Sequence, residues 1–146
     1  MKRILAAAGA LSLLAGAGPA LAAAEPRHGA CKAPAGATVL KAGAKPVESS
    51  VPTPVGFGTG FEKEAGVFYL DLAGKPKSTR GKITLTLTWP NPVSDYDLVV
   101  NGINEESSDN PETTAAKASH CKPVKVDVDV FIGVPTDQLT LSAKGA

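Results

Sequence analysis

This chain is short of what catalysis and nucleic-acid binding usually draw on. It has two histidines, His28 and His120, two cysteines, Cys31 and Cys121, and one methionine in 146 residues. No G-x-S-x-G or H-E-x-x-H signature is present, so nucleophilic and zinc-assisted hydrolysis have little footing, and the chain is not expected to be an enzyme. No CxxC or Cys/His spacing of a zinc site occurs. Charge of one sign is lacking too: fifteen Lys plus Arg face 14 Asp plus Glu. There is no basic stripe, which argues against nucleic acid and anionic lipid as partners. Beyond the N-terminus there is no second long apolar run, so no membrane span is expected in the mature chain.

The N-terminus itself reads as an export signal. Lys2 and Arg3 precede an apolar run rich in Ala and Leu from Ile4 to Leu14, and Pro19-Ala20-Leu21-Ala22 supplies the small residues a signal peptidase reads. Cleavage is expected after Ala22, with Ala24 as the alternative. An uncleaved anchor is disfavoured, because the run falls short of the roughly 20 residues that span a bilayer. Removing Lys2 and Arg3 from the fifteen cations leaves 13 against 14 acids, a mature chain near neutrality. The expected location is the periplasm or the medium of a bacterium.

Cys31 and Cys121 lie 90 positions apart. In an exported chain a pair of this kind is expected as one disulfide, worth about 4–5 kcal/mol by loop-closure entropy. Two free thiols, or half of a metal site, is the alternative.

What the chain has in quantity is alternation. Ile83, Leu85, Leu87 and Trp89 fall on one face and Thr84, Thr86 and Thr88 on the other, the period of a half-buried strand. A turn at Pro90 to Asp95 leads to a second strand, Tyr96 to Val100, which ends at the turn dipeptide Asn101-Gly102. Val124, Val126, Val128, Val130 and Ile132 alternate with Lys125, Asp127, Asp129 and Phe131 in another strand. Gly66 to Leu72 and Gln138 to Ala143 read as strands as well, and Thr38 to Lys41 as a short edge strand. Ala42 to Pro54, with its prolines, reads as loop. Ile103 to Ser119 is polar, with room for a short irregular strand or a turn of helix. Gly56, Gly58 and Gly60 form a G-x-G-x-G stretch without the preceding strand and following helix that a phosphate loop needs, so it reads as a connection, with Phe57 and Phe61 plugging the core.

Short strands with turns between them predict an all-β, antiparallel β-sandwich of jelly-roll type. The division expected is a signal peptide over residues 1–22, an Ala/Pro/Gly-rich leader over 23–54 and the sandwich over 55–146.

The block from Leu85 to Val100, Leu-Thr-Leu-Thr-Trp-Pro-Asn-Pro-Val-Ser-Asp-Tyr-Asp-Leu-Val-Val, resembles the central motif of the bacterial pre-peptidase C-terminal domains. In that family a strand ends in Trp and a short turn leads to Asp-x-Asp-Leu. The resemblance covers Phe57 to Lys144. It implies a small exported jelly-roll sandwich, in a family linked to substrate binding, secretion or calcium-dependent folding. The chain departs from it at Cys121 to Val126, where a Gly-x-Tyr strand start is usual.

The candidate site residues are few. Asp95 and Asp97, one residue apart at a strand start, suit a hard cation such as calcium, with Asn91, Asp109 or Asn110 to complete the set. The plainer expectation is that Asp95 accepts backbone N–H bonds in the turn and Asp97 pairs with a cation across the sheet. Asp127 and Asp129 read as the solvent face of their strand. His120 beside Cys121 makes no nucleophile–base pair if the cysteine is oxidised. Trp89 and Tyr96 fit core positions; Phe131 is out of phase with the valines and is expected at the surface. No cofactor is expected apart from calcium. The function expected is a non-catalytic exported β-sandwich module that binds a protein or polysaccharide. The alternative is a calcium-stabilised structural or adhesion domain.

Overall fold

The computed structural model describes residues 24–56, 60–105, 107 and 109–146. The expected signal peptide and Phe57 lie outside the described residues. Among these the chain forms nine strands: β1 (Thr38–Lys41), β2 (Val47–Val51), β3 (Lys63–Asp71), β4 (Gly81–Thr88), β5 (Asp95–Val100), β6 (Ile103–Glu105), β7 (Glu112–Ala118), β8 (Pro123–Ile132) and β9 (Leu139–Gly145). They make a five-stranded sheet of order β1-β3-β8-β5-β6 and a four-stranded sheet of order β2-β9-β4-β7. Only β1–β3 is parallel; the other pairings are antiparallel. Successive strands from β2 to β5 alternate between the sheets, β6 stays beside β5, and β7 to β9 alternate again, the interleaving of a jelly roll with β1 added at one edge.

The alternation along β4 is what fixes its place. Ile83, Leu85 and Leu87 are fully buried and meet the inner face of the other sheet, while the threonines between them point outward. Leu139, Leu141 and Ala143 extend this layer from β9 beside β4, and Tyr96, Leu98, Val126, Val128 and Val130 supply the facing layer from β5 and β8. Each such side chain contributes about 1.5–3 kcal/mol on burial, so a shift of register by one residue would forfeit a whole face. The β5–β6 hairpin turns at Asn101 and Gly102, both with positive φ (53° and 79°), as its two-residue loop demands.

Two stretches differ from the sequence reading. Residues 42–54, expected as loop, contain β2, which pairs with β9 along its length. Residues 103–119 contain two strands, β6 and β7, where one short irregular element was expected.

The disulfide is formed between Cys31 and Cys121, with Cα atoms 5.1 Å apart. It ties the leader to the turn before β8. Around it the leader lies along the β3–β4 connection: His28 N–H donates to the Lys75 carbonyl, Gly74 N–H returns a bond to the His28 carbonyl, and Lys77 N–H reaches the Pro26 carbonyl. The His28 and His120 rings stack with centroids 4.2 Å apart. His120 Nδ1 accepts the Leu72 N–H at 3.0 Å, so in its neutral form this ring carries its proton on Nε2. Burial and the neighbouring charges of His120, Lys77 and Arg80 lower the pKa of His28. With Cys121 oxidised there is no thiolate for His120 to activate.

Candidate functional site

The end of the sandwich where β4 stops and β5 starts gathers most of the residues singled out from the sequence. Trp89 closes β4 with its ring buried and its Nε1–H donated to the Ser94 carbonyl at 2.9 Å. Asn91 Oδ1 accepts the Val93 N–H, and the Ser94 N–H bonds the Asn91 carbonyl, which closes the turn. Tyr96 then meets Trp89 edge-on at 5.5 Å. Its hydroxyl donates to Asp137 Oδ2 at 2.8 Å, and Ser94 Oγ donates to the same oxygen. Burial and the Asp137 carboxylate push the Tyr96 phenol up to about 12. The Asp137 carbonyl also accepts Thr53 Oγ1 at 2.6 Å. This one acid therefore joins the chain after β2, the β4–β5 corner and the β8–β9 turn.

The other acids at this end are more deeply placed than their exposed, alternating pattern suggests. Asp129 is buried, not on a solvent face. It accepts the N–H groups of Gly60 and Phe61, at 3.0 and 2.9 Å, and that of Val130 at 2.9 Å. Asp127 is buried as well and pairs with Lys125 Nζ at 2.9 Å. That hydrogen bond and charge raise the lysine's pKa. The expectation of a solvent face fails because the segment around residues 60–61 folds over the outer side of β8. The same geometry corrects Phe61. Its N–H turns inward to Asp129, while its ring lies across Gly56, where a Cβ would stand 2.7 Å away, and stays 47% exposed.

Asp95 and Asp97 occupy different surroundings. A register shift between Asp95 and Tyr96 sets Asp95 opposite Ile132 and Asp97 opposite Asp129. Asp95 is half-buried, and its Oδ1 is enclosed without a hydrogen-bond partner among the described residues, in place of the turn N–H bonds expected. Burial raises its pKa. Asp97 is buried and accepts the Ser107 N–H at 3.3 Å. Of the completing groups, Asn110 Nδ2 donates to the Trp89 carbonyl at 2.8 Å, and Asp109 stays exposed, with its N–H on Ser107 Oγ.

Two acids were not singled out from the sequence, Asp137 and Glu112. Glu112, first residue of β7, is only 2% exposed and points between the sheets. Its Oε2 accepts the Leu98 N–H at 2.8 Å, and its Oε1 has no partner among the described residues. Burial pushes its pKa up to about 8, helped by the charges of Asp97, Asp95 and Glu105 and opposed by the Leu98 bond. At neutral pH the carboxyl is therefore mostly protonated, which is how the fold accommodates it. The signal was the alternation of β7, in which Glu112 shares phase with the inward Thr114, Ala116 and Ala118.

Among the described residues no group of three or more His, Cys, Asp or Glu side chains is arranged to hold a metal ion. Calcium at Asp95 and Asp97 would have to draw further oxygens from the main chain or water.

Outside this acidic interior the same end is apolar. Phe131 (50% exposed) and Ile132 close β8, Val93 (69% exposed) caps the turn before β5, and Phe61 lies beside Asp129. Phe131 is at the surface, as its phase foretold, and Trp89 and Tyr96 are in the core.

The fold and its covalent tie define a class: a disulfide-bonded jelly-roll module. Comparison with protein-family models, with curated proteins and with solved structures finds no match.

Proposed function

We propose that this chain is an exported, non-catalytic jelly-roll module that binds a protein or polysaccharide partner at the cell surface or in the periplasm. The carrying observation is that Phe61, Val93, Phe131 and Ile132 are all exposed near the end of the sandwich where β8 stops and β5 starts. An apolar cluster rimmed by polar loops is the usual form of a contact surface. The Cys31–Cys121 bond supports an oxidising compartment, as does the signal-like N-terminus. No helix among the described residues is long and apolar enough to cross a membrane. The likeness of Leu85–Val100 to the pre-peptidase C-terminal domains supports the same reading.

The test is capture from the surface fraction of the producing cell, together with binding to a glycan array, by the wild-type module and by Phe131→Ala and Phe61→Ala. Specific capture that weakens about tenfold or more in the variants is the expected result. Capture unaffected by both substitutions would remove the apolar end from the reading.

A second reading, a calcium-stabilised structural module, is favoured by one observation. Glu112 Oε1 and Asp95 Oδ1 are both buried without hydrogen-bond partners among the described residues, and the charge of Asp95 acts on Glu112. A bound cation would satisfy both oxygens and ionise Glu112. Thermal melts in millimolar calcium and in chelator test this directly. A Tm that rises with calcium in the wild type but not in Asp95→Ala supports the reading, and a Tm indifferent to both overturns it.

A further inference from the structure

The outer face of the four-stranded sheet carries an ordered set of side chains that neither the core nor the apolar end uses. Register places them in rows across the strands. Ser50, Thr140 and Thr88 form one row, and Glu48, Ser142, Thr86 and Thr113 the next, with Glu48 at the β2 edge. Lys144 stands beside Thr84, and Lys82 directly opposite Lys117. Thr86 and Thr113 share a hydroxyl hydrogen bond at 3.1 Å, which holds two members of the array in fixed rotamers. The face is thus hydroxyl along the central strands β9 and β4, with one acid, Glu48, at its β2 edge, and cationic at one end.

That cationic end is also concave. Arg80, Lys82 and Lys117 rim a cleft of about 630 Å³ with Gly81, Ala118, Ser119 and Ala146 along its wall; no acidic side chain lines it, and the Ala146 main-chain oxygen there accepts the Lys82 N–H. Arg80 Nη1 lies 3.3–3.4 Å from the carbonyls of Lys77, Ser78 and Thr79, which leaves Nε and Nη2 without a hydrogen bond among the described residues. No salt bridge among the described residues joins Arg80, Lys82, Lys117 or Lys144 to a carboxylate. Like charges directly opposite on neighbouring strands are destabilising. The Lys82–Lys117 pair therefore carries a cost that an anion between them would offset.

We infer that this cleft and the hydroxyl rows leading from it form a binding surface for an acidic polysaccharide. Arg80, Lys82 and Lys117 take its carboxylate or sulfate groups in the cleft. Lys144 and the Thr and Ser hydroxyls follow the sugar chain along the sheet. Charge complementarity selects an anion. The rows of hydroxyls match a ligand that presents its own hydroxyls at short, regular spacing, and the absence of an aromatic residue among them disfavours stacked nucleic-acid bases. Each exposed ion pair contributes little alone, so affinity comes from several contacts along one polymer. This surface lies on the other sheet from Phe131, with its cleft at the other end, so failure of either binding test leaves the other standing.

The experiment is calorimetric titration of the oxidised protein with polygalacturonate, with a sulfated glycan, with neutral dextran and with inorganic phosphate. Binding of at least one acidic polymer is expected, weakening as salt is raised. The double variant Lys82→Gln, Lys117→Gln should weaken it about tenfold, the loss of two exposed charge contacts. Its Tm should be unchanged or higher, because the repulsion across β4 and β7 is relieved, so a folding defect is separable from a binding defect. Silence with both acidic polymers, equal affinity for dextran, affinity for phosphate as strong as for polymer, or a double variant that binds like wild type would each overturn the inference.

Discussion

A carboxyl group survives burial only where something replaces water, and the buried acids of this protein use different replacements. Asp129 uses main-chain N–H groups, Asp127 a lysine, Asp137 two hydroxyls. Glu112 has one N–H and keeps its proton instead. That choice has a signed consequence. Glu112 titrates near 4.5 when unfolded and near 8 when folded, so the folded state holds the proton more tightly. Its contribution to stability is full below the unfolded value, falls as pH rises through the interval, and is flat above the folded value. The total loss is on the order of 2–5 kcal/mol. Urea melts of wild type and Glu112→Gln between about pH 4 and pH 9 isolate it. The difference between the two proteins should shift toward Gln as pH rises and level off above about 8. A constant difference would show that Glu112 is ionised in the folded state. At this scale the sequence disclosed phase but not cover. Val/Asp alternation along β8 correctly put the valines inside, yet nothing in it showed that residues 60–61 close over Asp129. Phe61 failed for the same reason, because its N–H, not its ring, is what the fold needs inside.

The strands that were legible are those with large apolar residues on a buried face, and most of them are central. The five read from alternation or apolar content, β3, β4, β5, β8 and β9, all have neighbours on both sides. The three that were missed, β2, β6 and β7, are edges of their sheets. An edge strand covers less of the core, and most inward residues here are small or polar: Ser49 on β2, beside a single buried Val51, and Thr114 and Ala116 on β7 opposite the bulky Leu85 and Ile83. Pattern reading looks for large residues and passes over their small partners. The leader shows a related dependence at the element scale. Its contacts with the β3–β4 connection are a few main-chain bonds and the side-chain bonds of Arg27 to the Gly74 carbonyl and of the Ser78 N–H to Glu25, and His28 stacks on His120 before β8, so the covalent tie adds to a small set of docking contacts. Replacing both cysteines, Cys31→Ser with Cys121→Ser, should cost about 2–5 kcal/mol. Limited proteolysis should then cleave first within residues 24–37, before the sheets open. If the double variant keeps the wild-type Tm and resists protease there, main-chain pairing alone secures the leader.

At the scale of the whole molecule the connectivity sets how the fold is reached. Of the strand pairings, only β5–β6 joins elements adjacent in sequence; β3 must find β8, β4 must find β9 and β2 must find β9. Nearly every stabilising contact therefore waits on the closure of a long loop, and folding of such topologies falls in the millisecond-to-second range or slower. The Cys31–Cys121 bond spans 90 positions and remains closed when the oxidised chain unfolds in urea. It brings the leader, just before β1, next to the start of β8 before any strand forms, so part of the closure entropy is already spent. Refolding of the oxidised protein should be several-fold faster than that of the reduced protein, while unfolding rates differ less. The protein's one tryptophan, Trp89, reports this cleanly, because it is buried at the β4–β5 corner and loses its contact with Tyr96 on unfolding. Stopped-flow fluorescence after a brief unfolding pulse, short enough that prolyl bonds keep their native isomers, makes the comparison. Equal refolding rates with a slower unfolding limb in the oxidised form would place the docking of the leader on β8 after the barrier, and the sandwich would then assemble from β3 onward without its help.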